Sequence, residues 1–391
     1  MRTLALALLL IVAAHADSVA LRAHDGTPAA EDRLDRGGLV YVMTNASGGN
    51  FIVVFGRDRR GRLHPLPGAR VATGGKGGGD NAPIDPLGSQ GSLVHAAHLD
   101  MLFAVNAGDH TVSAFDTSAP GVRPRRTALV ASGGYLPVSV AVSGRRLYVL
   151  NAGGVGSVVT FAIDASGNLR KLGTLELGLS NATAIPFDQV MAPGQVGVDA
   201  LTRRIVITHA AGQELLTADL DDRGIAVESL TSTPTPGIVP FAFGITRHGI
   251  VVVAEAGSGS VSAFDGLTAS GPLPVTAAAV PTGQAATCWL VVHPRGHVYA
   301  ANTGADTISR YRVSRTGGLV LVDAVAANVP GAPADITLAN HGGFLYTLNL
   351  AAGSISGFAV NRATGALTLL DEQTGGLPAA AGIQGIAARD F

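Results

Sequence analysis

Leu147-Tyr-Val-Leu-Asn151, a short apolar run stopped by a polar residue, recurs throughout this chain. Its counterparts are Tyr41-Val-Met-Thr-Asn45, Leu102-Phe-Ala-Val-Asn106, Ile205-Val-Ile-Thr-His209, Val251-Val-Val-Ala-Glu255, Val298-Tyr-Ala-Ala-Asn302 and Leu345-Tyr-Thr-Leu-Asn349. The closing residues lie 61, 45, 58, 46, 47 and 47 positions apart, the period of a repeated supersecondary unit. After most copies a turn of small residues leads into a second alternating run, as in Gly257-Ser-Gly-Ser-Val-Ser-Ala-Phe264. That pattern joins two strands tightly. A third run precedes each copy from the second onward, for example Pro137-Val-Ser-Val-Ala-Val142, and a fourth follows a Gly-x-Leu turn, as in Gly167-Asn-Leu-Arg-Lys-Leu172. No useful window carries the helical period. Seven such units predict an all-β fold, a seven-bladed β-propeller of four-stranded antiparallel blades.

The first unit begins at its second strand, because the chain before Leu39 is a polar leader. Its missing innermost strand is at the other end: Ile383-Gln-Gly-Ile-Ala-Ala-Arg389 resembles the inner strands and has no second strand after it. Closure by the C-terminal strand is expected, 383–389 against 39–45, with the propeller spanning 38–391. Ahead of it, Met1-Arg2, the apolar run Leu4 to Ala14 and Ala14-His15-Ala16 read as a secretory signal peptide over 1–16, followed by the polar leader 17–37. The expected location is secreted or periplasmic. No later stretch reaches the ~18 apolar residues of a span, so membrane insertion is not expected. With 27 Lys+Arg against 28 Asp+Glu, there is no basic excess to neutralise a phosphate backbone, which argues against nucleic-acid binding. The single Cys288, in an apolar run beside Trp289, reads as a buried structural thiol.

The start of each inner strand and the end of each second strand fall on one face of such a ring, so those positions are expected to surround one mouth. The two long intervals place their surplus in Thr73 to Gly91 and Glu176 to Gln195, connections that emerge on the same face. Thr73-Gly-Gly-Lys-Gly-Gly-Gly-Asp80 reads as a flexible surface loop, since no helix follows it to make a phosphate cradle.

The Tyr-Val-x-Thr-Asn start, Ser89-Gln-Gly-Ser-Leu93, Pro137-Val-Ser-Val140, Glu255-Ala-Gly257, Cys288-Trp289, Asn302-Thr-Gly304 and the seven-fold period together resemble the seven-bladed β-propeller lactonase family. That group includes bacterial 6-phosphogluconolactonase and fungal carboxymuconate lactonising enzyme, and the resemblance runs from about Gly38 to the end. It implies opening or closing of a lactone ring. It also implies a site made of a His opening the fourth inner strand, an Arg opening the fifth, and a Glu closing the fifth blade's second strand. These fall at Gly194-Gln195, at Val239-Pro240-Phe241 and at Glu255, so only the Glu is matched.

Hydrolysing a lactone requires a group that takes a proton from water and donors that polarise the carbonyl. Glu255 as general base and His209 as its partner are the candidate catalytic residues, standing at equivalent positions of adjacent blades. Gln90, Asn106, Asn151, Gln195, Asn302, Asp335 and Gln384 are the candidate substrate-binding residues. The competing reading of each repeated Asn is a side-chain cap on the turn that follows it. His95, His98, His293 and His341 fall in or beside turns of the far face and read as solvated. No cofactor is expected and no metal site is read, because no Asp-rich loop is present. The apolar residues at the family's Arg position favour a non-phosphorylated lactone or sugar-like ligand. The alternative is a non-catalytic propeller binding a ligand or a protein partner at the mouth.

Overall fold

The second strand of each repeat is apolar at nearly every position, and a strand of that composition must be covered on both faces. In the computed structural model Met101–Asn106, Arg204–His209, Ile250–Glu255, His297–Asn302 and Phe344–Asn349 are buried along their whole length. The outermost strands, such as Arg125–Ala131 and Val275–Pro281, mix exposed with half-buried residues. Burial therefore peaks at the second strand and falls toward the rim. The structure describes residues 36–391 apart from 80, 81, 83, 120–122, 189–191, 228, 269 and 380. The signal peptide and nearly all of the leader read from the sequence lie outside the described residues.

Seven four-stranded antiparallel sheets make up the described chain, each strand pairing with its sequence neighbours. Six blades are continuous. The first is completed by Ile386–Asp390, which pairs with Arg36–Met43 in the register Leu39 to Arg389, Val40 to Ala388 and Tyr41 to Ala387. The expected closure is thus observed. The closing strand is tied to its neighbours by charge as well: Arg57, 1% exposed, reaches the Asp390 carboxylate at 2.5 Å, and Asp390 accepts the Asn340 amide of the seventh blade.

Adjacent blades are joined by a repeated contact. Tyr148, Tyr299 and Tyr346, at the same step of three repeats, each donate the phenolic hydroxyl to a carbonyl in an outer turn of the next blade, Gly224, Gly365 and Gly61. A buried Tyr hydroxyl needs such an acceptor, and here the acceptor fixes how two sheets meet.

The Gly-rich connection after the first blade corrects the expectation of a free surface loop. Gly77 donates to the Ala46 carbonyl, Gly78 to the Asn45 side chain and Gly79 to the Asn45 carbonyl. A Cβ on Gly77 would sit 2.1 Å from the Asn45 carbonyl carbon, so the glycines permit backbone to pack on backbone.

Candidate functional site

Inner-strand starts lie opposite second-strand ends, as Pro193 opposite His209 and Pro240 opposite Glu255 show, so both sets share one face. The second-strand ends do not line an opening, however. Asn45, Asn106, Asn151, Glu255, Asn302 and Asn349 are all 0% exposed. Asn45 donates to the Gly382 carbonyl, whereas the side chains of Asn106, Asn302 and Asn349 turn into the blade and meet hydroxyls five and seven residues on. Asn106 donates to Thr111 and Ser113, Asn302 to Thr307 and Ser309, and Asn349 to Ser354 and Ser356. Asn151 donates to Ser157 alone. This is the turn cap weighed against substrate binding for the repeated Asn.

Glu255 occupies the same place with the polarity reversed. Ser260 and Ser262 donate to its carboxylate at 2.6 Å each, and the Gly237 amide donates at 2.8 Å. His209 meets its own fifth-on residue, Glu214, at 2.8 Å between Nδ1 and Oε1. The two candidate catalytic side chains thus belong to separate hydrogen-bond networks. Removing the carboxylate strands two hydroxyls and an amide in a dry sheet. Glu255→Ala is expected to destabilise the fold by about 2–4 kcal/mol, whereas Glu255→Gln, whose amide the rotatable hydroxyls can meet, costs less than about 1.5 kcal/mol. Urea unfolding of the two variants measures the difference.

The axis itself is occupied. Leu87 to Gly91, at the end of the first long connection, runs across the head of the propeller. The Leu87 amide donates to Gln384 in the first blade. Ser89 donates to the Val138 carbonyl of the third blade, and its own carbonyl accepts Trp289 Nε1 from the sixth. The Gln90 amide donates to Gly194 in the fourth. The Gln90 side chain pairs with both the N–H and the C=O of Leu290, and Gly91 donates to Asp335 of the seventh. Gln195 makes the same two-sided contact with Phe243, and Gln384 bonds Leu87, Ser89 and Asp85. All three candidate glutamines are committed to holding strands together.

Asp335 and Asp85 remain. Asp335, 3% exposed, accepts the amides of Gly385 and Gly91, yet burial raises its pKa to about 7. Asp85 is half-buried, carries a positive φ of 51° and accepts the Gly88 amide and the Gln384 side chain. Burial, reinforced by the Asp335 charge, raises it also to about 7. Two carboxylates sharing one poorly solvated site titrate as a pair. Asp335 was named from the sequence; Asp85 was not, because it lies in a connection with no repeat to flag it. Cys288, at the sixth inner strand, is buried and free, and burial pushes its thiol up to about 12, which leaves it unreactive.

The pair has a consequence for stability. Each carboxylate holds its proton in the folded chain to a higher pH than its ordinary 3.8 in the unfolded chain. Between those values the folded state binds more protons, so the stability they contribute is fully present below about pH 4 and is lost as pH rises through about 7. The expected result is an unfolding temperature whose fall between about pH 5 and pH 8 flattens in the Asp85→Asn/Asp335→Asn double variant.

Of the remaining histidines, His98 and His341 are exposed as expected. His293 is not solvated: it is 1% exposed, wedged between two turns, with Nε2 at 3.1 Å from the Gly342 carbonyl. His95 is half-buried against Thr117.

Residues 282–380, the sixth and seventh blades, match the family model Lactonase, 7-bladed beta-propeller. The chain is a lactonase-like seven-bladed propeller. Solved structures agree in fold. The Pseudomonas aeruginosa periplasmic gluconolactonase PpgL is 16% identical, with a TM-score of 0.68 over 90% of this chain and 98% of that one. A Bacteroides uniformis protein provisionally named a 6-phosphogluconolactonase is 16% identical, with a TM-score of 0.67 over 91% and 100%. A Lactobacillus plantarum protein is also 16% identical, with a TM-score of 0.68 over 91% and 99%. Among curated protein sequences, none matches. No helix among the described residues of this lactonase-like propeller is long and apolar enough to cross a membrane. Where the family resemblance implies an Arg, Phe241 packs its ring edge-on against Trp289, with centroids 4.9 Å apart.

Proposed function

We propose that this protein is an exported hydrolase of non-phosphorylated lactones, acting at the head of the propeller axis with Asp85 as general base and Asp335 as the residue that tunes it. The observation that carries this reading is the pair of carboxylates held near neutrality, the range in which one group both takes and returns a proton at physiological pH. Asp85 removes a proton from water, the hydroxide oxygen attacks the lactone carbonyl, and collapse of the tetrahedral adduct breaks the ring C–O bond. The same carboxyl group returns the proton to the leaving alkoxide, so lactone and water become a hydroxy acid. Support for lactone chemistry comes from the family match, and support for export from Met1 to Ala16 together with the periplasmic gluconolactonase of the same fold.

The test is acid release from a panel of uncharged lactones at constant pH by the mature protein. Saturable turnover is expected. Absence of turnover on every lactone favours the second reading, a ligand-binding propeller, whose own support is the commitment of Gln90, Gln195 and Gln384 to structural bonds. The competing placement of the base, Glu255 assisted by His209, rests on the family's Glu position. Loss of turnover in Glu255→Gln with the fold intact would favour it.

Substrate charge follows from the same geometry. The inner-strand openings present Gln90, Pro137, Gln195, Phe241, Cys288, Asp335 and Gln384, with no Arg or Lys among them. A phosphate brought beside two carboxylates meets repulsion without a matching cation. The kcat/KM for 6-phosphogluconolactone is expected to be at least about 10²-fold below that for gluconolactone. Equal efficiency on the two would overturn this assignment of the substrate.

A further inference from the structure

On the opposite face, a cavity of about 810 Å³ lies beneath the fourth, fifth and sixth blades. Its floor is apolar, formed by Val198, Ile245 and Val292 where three inner strands end. Its rim is cationic: Arg247, Arg295, Arg312 and Arg315 all line it. Among the described residues none of these four guanidiniums is paired with a carboxylate; Arg247 donates to His248, Arg295 to the Arg362 carbonyl and Arg312 to the Arg295 carbonyl. The one carboxylate in the lining, Asp199, spends Oδ1 on the Leu201 amide, and its other oxygen is buried without a partner. Arginines elsewhere, such as the exposed Arg125 and the buried Arg204 and Arg310, do have acidic partners.

We propose that this cavity binds a small amphiphilic anion, a carboxylate or phosphate joined to an apolar body. The guanidiniums match a carboxylate or phosphate through paired N–H donors, and the floor accepts the apolar portion. The volume lies within the range of small-molecule sites. The local field is strong enough to act on neighbours: burial lowers the His293 and His297 pKa values, the latter to about 4, and the charges of Arg295 and Arg312 lower both further. The site is independent of the chemistry proposed at the other face.

Octanoate and octyl phosphate are the probes, with acetate and inorganic phosphate as their counterparts lacking an apolar body, titrated calorimetrically into the mature protein. Saturable binding of at least one octyl probe is expected, at least ~10-fold tighter than its short counterpart. The Arg295→Gln/Arg312→Gln double variant is expected to weaken it by at least ~10-fold, while Arg223→Gln, away from the cavity, leaves it unchanged. Binding of only one octyl probe identifies the headgroup. The proposal is overturned by absence of saturable binding of both octyl probes, by equal affinity for the short anions, or by equal loss in Arg223→Gln. An unchanged affinity in the double variant overturns it too. All three positions are exposed side chains, and an unchanged unfolding temperature confirms that the variants fold.

Discussion

Asp85→Asn lowers kcat on an uncharged lactone by about 10²- to 10⁴-fold while the unfolding temperature stays within a few degrees of the parent. The Asn oxygen still accepts the Gly88 amide and the Gln384 side chain, so the loop keeps its shape and only the proton-accepting group is lost. Asp335→Asn behaves differently, because Asp335 acts through Asp85. Removing its charge lowers the proton affinity of Asp85, so the limb of the pH–rate profile that rises with pH moves to lower pH. A simple structural role for Asp335 moves stability and leaves that limb in place. Full turnover in Asp85→Asn, from an active parent, removes the proposed base.

Truncation after Ala381 has the largest expected effect on folding. It deletes Ile383 and Ile386, both buried, and exposes the edge of Arg36–Met43 along its length. It also leaves the Arg57 guanidinium buried without its partner Asp390, a loss of about 1–3 kcal/mol because that carboxylate is partly exposed. The sum exceeds about half the stability of an ordinary domain, and the expected outcome is a chain with no cooperative unfolding transition by calorimetry. A soluble truncated protein that melts cooperatively would contradict closure by this strand. Asp390→Ala isolates the ionic part, and the same loss of about 1–3 kcal/mol is expected.

The blade count and the closing strand were legible because each repeat ends in a polar residue after an apolar run, and that residue marks the same step each time. What the anchors do was less legible. Strand alternation allows a side chain at a strand end to face an opening or the neighbouring strand. The choice is made by Ser and Thr five and seven residues later, which were present in the sequence as part of the turn pattern. Glu255 follows the same grammar with donor and acceptor exchanged. Asp85 was not legible, since its environment is assembled by Gln384 and Asp335, roughly 250 to 300 positions away in the chain. Period and composition carry no information about such a meeting. The cationic cavity is of the same kind, its arginines being scattered over turns and one strand end of two blades.

The strand of chain from Leu87 to Gly91 has an implication for traffic through the molecule. A ring of seven sheets encloses a bore, and an open bore would let water, ions and small solutes pass from one face to the other. Here five inner strands grip a segment laid across that bore, so the two faces are separate compartments. On the chemistry proposed for the head, a hydroxy acid leaves by the end at which its lactone entered, and an anion bound as proposed at the other face reaches it only by way of bulk solvent.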